Sequence, residues 1–395
     1  MNRSLSTNIT CLYLIKLSKW LMLIMPIAAL YYNENNLDDF SIFLLQAIYS
    51  LSVAIMEIPS GYLADIVGRR TTLILGSILG SLGFVIYSIS HGLSGFVAAE
   101  IILGIGGSFI SGADSAMLFD SLAANNRREY YLTYEGRITA AGNFAETAAA
   151  LCGGLIASLT GYREVYMAQA AIATLAIPAS LMLIEPPRIR IGQRPGIRHI
   201  LEICRTTLLV DKKLASTILL SSVTGIATLC MAWSAQVFFV YHKMSELTIT
   251  PLWVCLNLTV ALVAAMATRV KTTLGARLSM LLIICYLPLA YIFLGQLPLI
   301  PALCTLFIFY AIRGYATPIL KDLINRYCAA EIRATVLSIR SLIIRFGFAL
   351  LGPAIGIASN HYSLPSALCL AGLFLLFFST IAGILLFITI PNEFR

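Results

Sequence analysis

Apolar runs of about 20 residues, each closed by a short polar or glycine-rich break, repeat along this chain from residue 11 to residue 390. A helix needs about 20 such residues to cross the hydrocarbon core of a bilayer, so each run predicts one span. The runs lie at about 11–31, 40–60, 71–90, 96–119, 133–159 and 165–184, and again at about 214–240, 251–268, 278–297, 300–320, 335–359 and 365–390. Pro26 interrupts the first run, and Tyr31 to Asn36 gives it a polar exit turn. In the fourth, Gly104, Gly106, Gly107 and Gly112 offer the small faces that let membrane helices approach closely. Residues 185–213 break the rhythm: Arg188, Arg190, Arg194, Arg198, His199, Arg205, Lys212 and Lys213 stand among prolines and glycines, so this stretch reads as a basic linker. The pattern predicts an all-α integral membrane protein of 12 transmembrane helices, with a six-helix bundle over 1–184, a linker over 185–213 and a second bundle over 214–395.

Composition agrees with that picture. Of 395 residues, 59% are hydrophobic and 12% charged, whereas a soluble domain carries about a quarter charged residues. No cleavable leader is expected, because the first run holds Lys16 and Lys19 and passes into the next span without a small-residue cleavage site. The net charge of +8 does not call for nucleic acid, since of the 27 Lys and Arg only Arg163 and Lys243 fall in loops on the far side. That is the positive-inside bias, and it puts both termini in the cytoplasm. The nine cysteines are scattered without a Cys-x-x-Cys pair, and His91, His242 and His361 lack ligand spacing, so no metal or disulfide framework is expected. Neither a Gly-x-x-x-x-Gly-Lys phosphate loop nor a nucleophile paired with a base is visible, which excludes a primary pump and argues against an enzyme.

The densest motif is Glu57-Ile58-Pro59-Ser60-Gly61-Tyr62-Leu63-Ala64-Asp65-Ile66-Val67-Gly68-Arg69-Arg70, between the second and third spans. Gly61 and Gly68 allow a sharp turn, Asp65 suits the positive N-terminal end of a helix, and Arg69 and Arg70 are kept out of lipid. Such a hinge would act as a latch. The chain also repeats itself. Gly112-Ala113-Asp114-Ser115-Ala116-Met117-Leu118-Phe119-Asp120 aligns with Gly314-Tyr315-Ala316-Thr317-Pro318-Ile319-Leu320-Lys321-Asp322, and Gly68-Arg69-Arg70 with Gly275-Ala276-Arg277, where Thr272 replaces the aspartate. Similar offsets at two places imply two pseudo-symmetric halves with a solute site between them.

An ionisable side chain inside a span is a functional candidate by default. Asp114 in the fourth helix and Glu146 in the fifth are the candidate proton carriers. Arg313 in the tenth and Arg345 in the eleventh are candidates for an anionic group on a solute. Gly142, Glu146, Ala150 and Gly153 share one stripe with Asn143 beside it, and Ser338, Ser341 and Arg345 share another, so both stripes are expected to face a cavity. Glu146 and Arg345 could equally form a structural ion pair. Arg340, about 140° around the helix from Arg345, reads as packing. Gln46, Trp233, Gln236, Asn257 and Tyr31 are candidate neutral contacts to solute.

The Gly61-x-x-x-Asp65-x-x-Gly68-Arg69-Arg70 pattern, with six spans on each side of a basic linker, resembles the major facilitator superfamily of secondary transporters, in a bacterial branch of drug or metabolite carriers. The resemblance implies a charge network in which Glu57 and Asp120 join the hinge arginines. It also implies a monomeric carrier in the bacterial cytoplasmic membrane with no cofactor; the proton is expected as coupling ion from Asp114 and Glu146 and not from the motif. Two departures stand out. Glu100 precedes Gly104 at the spacing where many proton-coupled exporters carry an arginine, and Leu151-Cys152-Gly153-Gly154 replaces the Gly-Pro element of antiporters. A related element stands in the eleventh helix at Gly347, Gly352, Pro353 and Gly356. Alternating-access transport of a small organic solute is the expected function, with efflux of amphipathic compounds favoured. Carriage of an anionic metabolite such as a carboxylate siderophore and a non-transporting membrane sensor or assembly factor are the rivals.

Overall fold

A computed structural model describes residues 3–186, 202–329 and 332–394. Residues 187–201 of the expected linker, and the side chains of Asp65 and Asn143, lie outside the described residues. The first half contains α1 (Arg3–Trp20), α2 (Ala28–Glu34), α3 (Asp39–Ile66), α4 (Arg69–Ile89), α5 (Leu93–Ala124), α6 (Tyr131–Thr160), α7 (Tyr162–Thr174) and α8 (Ala176–Leu181). The second contains α9 (Lys212–Tyr241), α10 (Glu246–Ala265), α11 (Ala267–Leu281), α12 (Leu287–Gln296), α13 (Leu299–Tyr327), α14 (Arg333–His361) and α15 (Leu364–Thr389). The protein is an all-α membrane protein of twelve crossings.

Among the described residues ten helices are long and apolar enough to cross a membrane unaided. The two crossings outside that group are the first, α1 with α2, and the fifth, α6. Their sequences say why: α1 carries Asn8, Lys16 and Lys19, and α6 carries Glu135, Arg137, Asn143 and Glu146. Helices this polar need partners inside the protein, which is where the candidate site lies.

Local sequence sets the breaks. The first span opens over residues 21–27, a wider gap than a kink at Pro26 alone, and Gln169 of α7 fills it by accepting the Leu23 amide at 2.8 Å. Asp211 caps α9, its carboxylate accepting the amides of Lys213 and Leu214 at 3.1 Å each. Pro288 has no N–H for the Ile284 carbonyl, and a π-helical turn, Leu282–Tyr286, falls there between α11 and α12. The expected close approach in the fourth span is present: a Cβ on Gly104 would stand 2.5 Å from Cβ of Ser52.

The chain divides into two compact units. Unit 1 takes Met1–Leu37, Leu45–Gly192 and Met244–Val254. One core in it joins Leu12 and Ile15 of α1, Leu73 of α4, Met117, Leu118 and Leu122 of α5, and Leu183. Tyr162 donates to Glu246 at 3.0 Å within this unit. Unit 2 takes Asp38–Leu44, Gln193–Lys243 and Cys255–Arg395. Its first turn of α3 is held by α14, with Asn360 donating to Asp38 and Ser359 to Asp39 at 2.5 Å each. Leu214, Ile218, Ile324, Cys328 and Val336 form a core in unit 2.

Candidate functional site

The hinge holds a charge network in unit 1, and its turn is narrower than the sequence suggests. Helix α3 runs unbroken through Pro59 and Gly61 to Ile66, so Gly61 is a helical residue and not a turn residue. Gly68 alone makes the turn, at φ +110°, a conformation that costs an L side chain strain. The first amides of α4 then point at Glu185: Arg69 N–H donates to its Oε1 at 2.9 Å and Arg70 N–H to its Oε2 at 2.7 Å. A carboxylate on a helix N-terminus satisfies amides that have no helical partner. Asp65, whose side chain lies outside the described residues, is the expected group for such a role, and Glu185 has no signal in the sequence beyond its place before two prolines. Arg69 pairs with Asp120 and also donates to the Ala116 carbonyl, while Arg70 donates to the Leu181 carbonyl at 2.9 Å. Glu57 is half-buried on α3.

Inside unit 1, Asp114 meets two groups outside the expected site residues, Lys16 and Glu135. Lys16 Nζ of α1 lies 3.4 Å from Asp114 Oδ2 and 2.8 Å from Glu135 Oε1 of α6. Ser115 donates its hydroxyl to the same Glu135 oxygen at 3.2 Å, and its amide to Asp114 Oδ1 at 2.6 Å. Glu135 Oε2 is buried with no hydrogen-bond partner among the described residues. Lys19, one turn along α1, adds its field to Asp114. Helix α5 continues to Ala124, so Asp114 is nearly three turns from its end and not the turn and a half that a run ending at 119 implies. One lysine shared by two acids offers two alternative pairings.

The expected cavity stripe of α6 has a different neighbour. Glu135 and Glu146, eleven positions apart, fall within about 20° of each other on the helix. Between and beyond them, a Cβ on Gly142 would stand 3.0 Å from the Trp20 ring and one on Gly153 would overlap the Leu23 carbonyl oxygen. This stripe therefore packs against the first span inside unit 1, and Glu146 is half-buried on it. The Glu135 signal was present in the sequence as that same eleven-residue spacing.

Tyr31 and Gln46, expected to line a cavity, are 0% and 8% exposed in a packed aromatic cluster. The Tyr31 ring lies 4.1 Å from that of Tyr166 and 5.5 Å from that of Phe96, and its hydroxyl donates to the Tyr87 carbonyl at 2.8 Å. Gln46 donates to Glu100 at 3.0 Å.

In unit 2, the Arg313 guanidinium stands 5.4 Å from the centre of the Tyr310 ring. Arg345 is half-buried, and its Nε is without a hydrogen-bond partner among the described residues. Arg340 Nε donates to Ser221 at 2.5 Å, tying α14 to α9. Trp233 and Asn257 are half-buried and Gln236 is buried.

Residues 14–320 match the sequence family described as the Major Facilitator Superfamily. The chain belongs to that superfamily. As a superfamily member it aligns with the quinolone resistance protein NorA of Staphylococcus aureus at 24% identity over 166 residues, 42% of this chain and 42% of that protein. Among solved structures, a bacterial homolog of the human lysosomal transporter Spinster, inward-facing and unoccupied, superposes with a TM-score of 0.78 at 17% identity, covering 100% of this chain and 98% of its own. The nucleoside transporter NupG gives 0.71 at 14%, covering 98% and 99%. A POT family transporter in complex with 5-aminolevulinic acid gives 0.73 at 12%, covering 100% and 97%.

Proposed function

We propose that this transporter moves amphipathic organic solutes out of a bacterial cell in exchange for protons, by alternating access, as a monomer in the cytoplasmic membrane with both termini in the cytoplasm. One observation carries the coupling: Lys16 is shared between Asp114 and Glu135 within a membrane unit. A buried carboxylate is costly while charged, and a lysine that exchanges partners links its protonation to helix position. Efflux is supported by the partial similarity to NorA, and the orientation by the distribution of Lys and Arg. The test is uptake of a fluorescent amphipathic cation into proteoliposomes under an imposed pH gradient. Gradient-driven uptake is lost in Asp114→Asn and Glu135→Gln while solute counterflow persists. Uptake indifferent both to the gradient and to these variants overturns the coupling.

A second reading has its own support. Arg345 holds a buried Nε without a hydrogen-bond partner among the described residues, and a guanidinium offers bidentate hydrogen bonds to a carboxylate or phosphate. The solute of this reading is an anionic metabolite held by Arg345 and Arg313. Inhibition of transport by a tricarboxylate but not by an amphipathic cation selects it.

A further inference from the structure

At the end of unit 1 away from the Gly68 hinge, Glu100 of α5 is 5% exposed. Three donors converge on one of its oxygens, Oε1: the Tyr87 hydroxyl of α4 at 2.6 Å, Gln46 Nε2 of α3 at 3.0 Å and the Tyr32 hydroxyl of α2 at 3.5 Å. Rings of Tyr31, Phe96 and Tyr166 close the cluster. No lysine or arginine pairs with Glu100 among the described residues. Arg163 of α7 stands over the Tyr31 ring but is engaged elsewhere, donating to the carbonyls of Ser88 and Ser90 at 2.7 and 3.0 Å and to Asn35 Oδ1 at 3.2 Å, with His91 Nδ1 at 2.9 Å. The groups facing Glu100 are thus Tyr32, Gln46, Tyr87 and Tyr166, with Tyr31, Arg163 and His91 behind them.

This arrangement accommodates a carboxyl group in both charge states. Ionised, Glu100 uses the three donors on Oε1. Neutral, it carries its proton on Oε2, which none of those bonds occupies. The Tyr32 and Tyr87 hydroxyls, 3.1 Å apart, each give or accept, so their hydrogens reorient without a heavy atom moving. We infer that Glu100 is a proton-exchange site of its own, taking one proton from water onto Oε2 and returning it, separate from the group around Lys16. Positions 100 and 114 are about 21 Å apart along α5 at the helical rise, so one helix would carry proton sites at two depths. The part this plays in transport rests on the coupling proposed above, whereas proton binding itself does not.

Infrared difference spectra of the purified full chain, stepped through pH, test it. The expected result is a pH-dependent carbonyl band of a protonated carboxyl group that is lost in Glu100→Gln and kept in Asp114→Asn. Tyr87→Phe, which removes the shortest bond to the ionised form, moves the band's titration to higher pH. Spectra identical in the wild type and Glu100→Gln overturn the inference. Should that variant fail to fold, an unshifted titration in Tyr87→Phe does the same. A normal Glu100 band in a protein whose uptake ignores the pH gradient sinks the proposed coupling and leaves the proton site standing.

Discussion

Both halves turn between their second and third spans on a glycine at positive φ, Gly68 at +110° and Gly275 at +76°, yet their surroundings differ. Around Gly68, Glu185 holds two amides of α4 and Arg69 reaches Asp120 on α5. In the second half Ala276 stands where Arg69 would be, Arg277 is exposed, and the Thr272 hydroxyl turns back onto the Arg269 carbonyl at 2.9 Å. Asp322, the counterpart of Asp120, pairs along its own helix with Arg326 at 2.7 Å, and Arg326 meets Glu393 at 3.3 Å. Asp120 has 9% of its side chain exposed and Asp322 has 49%. One guanidinium fewer marks the second hinge: Ala276 stands at the Arg69 position, and the aspartate pairs with Arg326 on its own helix.

The most direct way to break this comparison is to remove both aspartates separately. Asp120→Ala leaves the Arg69 guanidinium without its carboxylate, held by the Ala116 carbonyl, and is expected to cost about 3 kcal/mol, whereas Asp322→Ala loses an exposed pair of at most about 1 kcal/mol. Thermal unfolding in detergent reads both, and equal losses would erase the asymmetry. Substituting the glycines comes next. Gly68→Ala is expected to cost about 1–3 kcal/mol, because the new Cβ meets both the strained φ and, at 3.3 Å, the Glu185 carboxylate. Gly275→Ala, with nothing within 4 Å of its Cβ, meets the φ penalty alone and is expected to cost less in the same melt. Glu185→Ala removes a helix cap worth about 0.5–2 kcal/mol and should raise amide exchange at Arg69 and Arg70. Smallest of all, Ala276→Arg offers Asp322 a partner across the second hinge, and a double-mutant cycle with Asp322→Ala should return a coupling below about 1 kcal/mol.

The spans were readable because hydropathy acts on each run separately, and Gly68, Arg69 and Asp120 were readable because their spacing is fixed by one motif and its repeat. Contacts that close over long separations were not. Lys16 stands 98 positions before Asp114 in the sequence, and no periodicity within α1 says which helix it meets. Glu185 ends an apolar run before two prolines, so it reads as a helix stop until the amides of α4 are placed beside it. Tyr31 and Gln46 show the converse error: polar groups in a span look the same in sequence whether they line open space or close a packed cluster. Glu100 was visible as a departure from the exporters' arginine, but its role depends on four helices converging at Tyr87.

The gap at residues 21–27 has a mechanical consequence. It divides the first crossing into two rods, one bearing Lys16 and the other Tyr31 and Tyr32, joined at a fulcrum where Gln169 grips the Leu23 amide. Helix α5 is unbroken from Leu93 to Ala124, a stiff shaft of about 48 Å. Asp114 and Glu100 thus stand on one continuous helix, whereas Lys16 and Tyr32, which meet them, stand on separate rods of the first crossing.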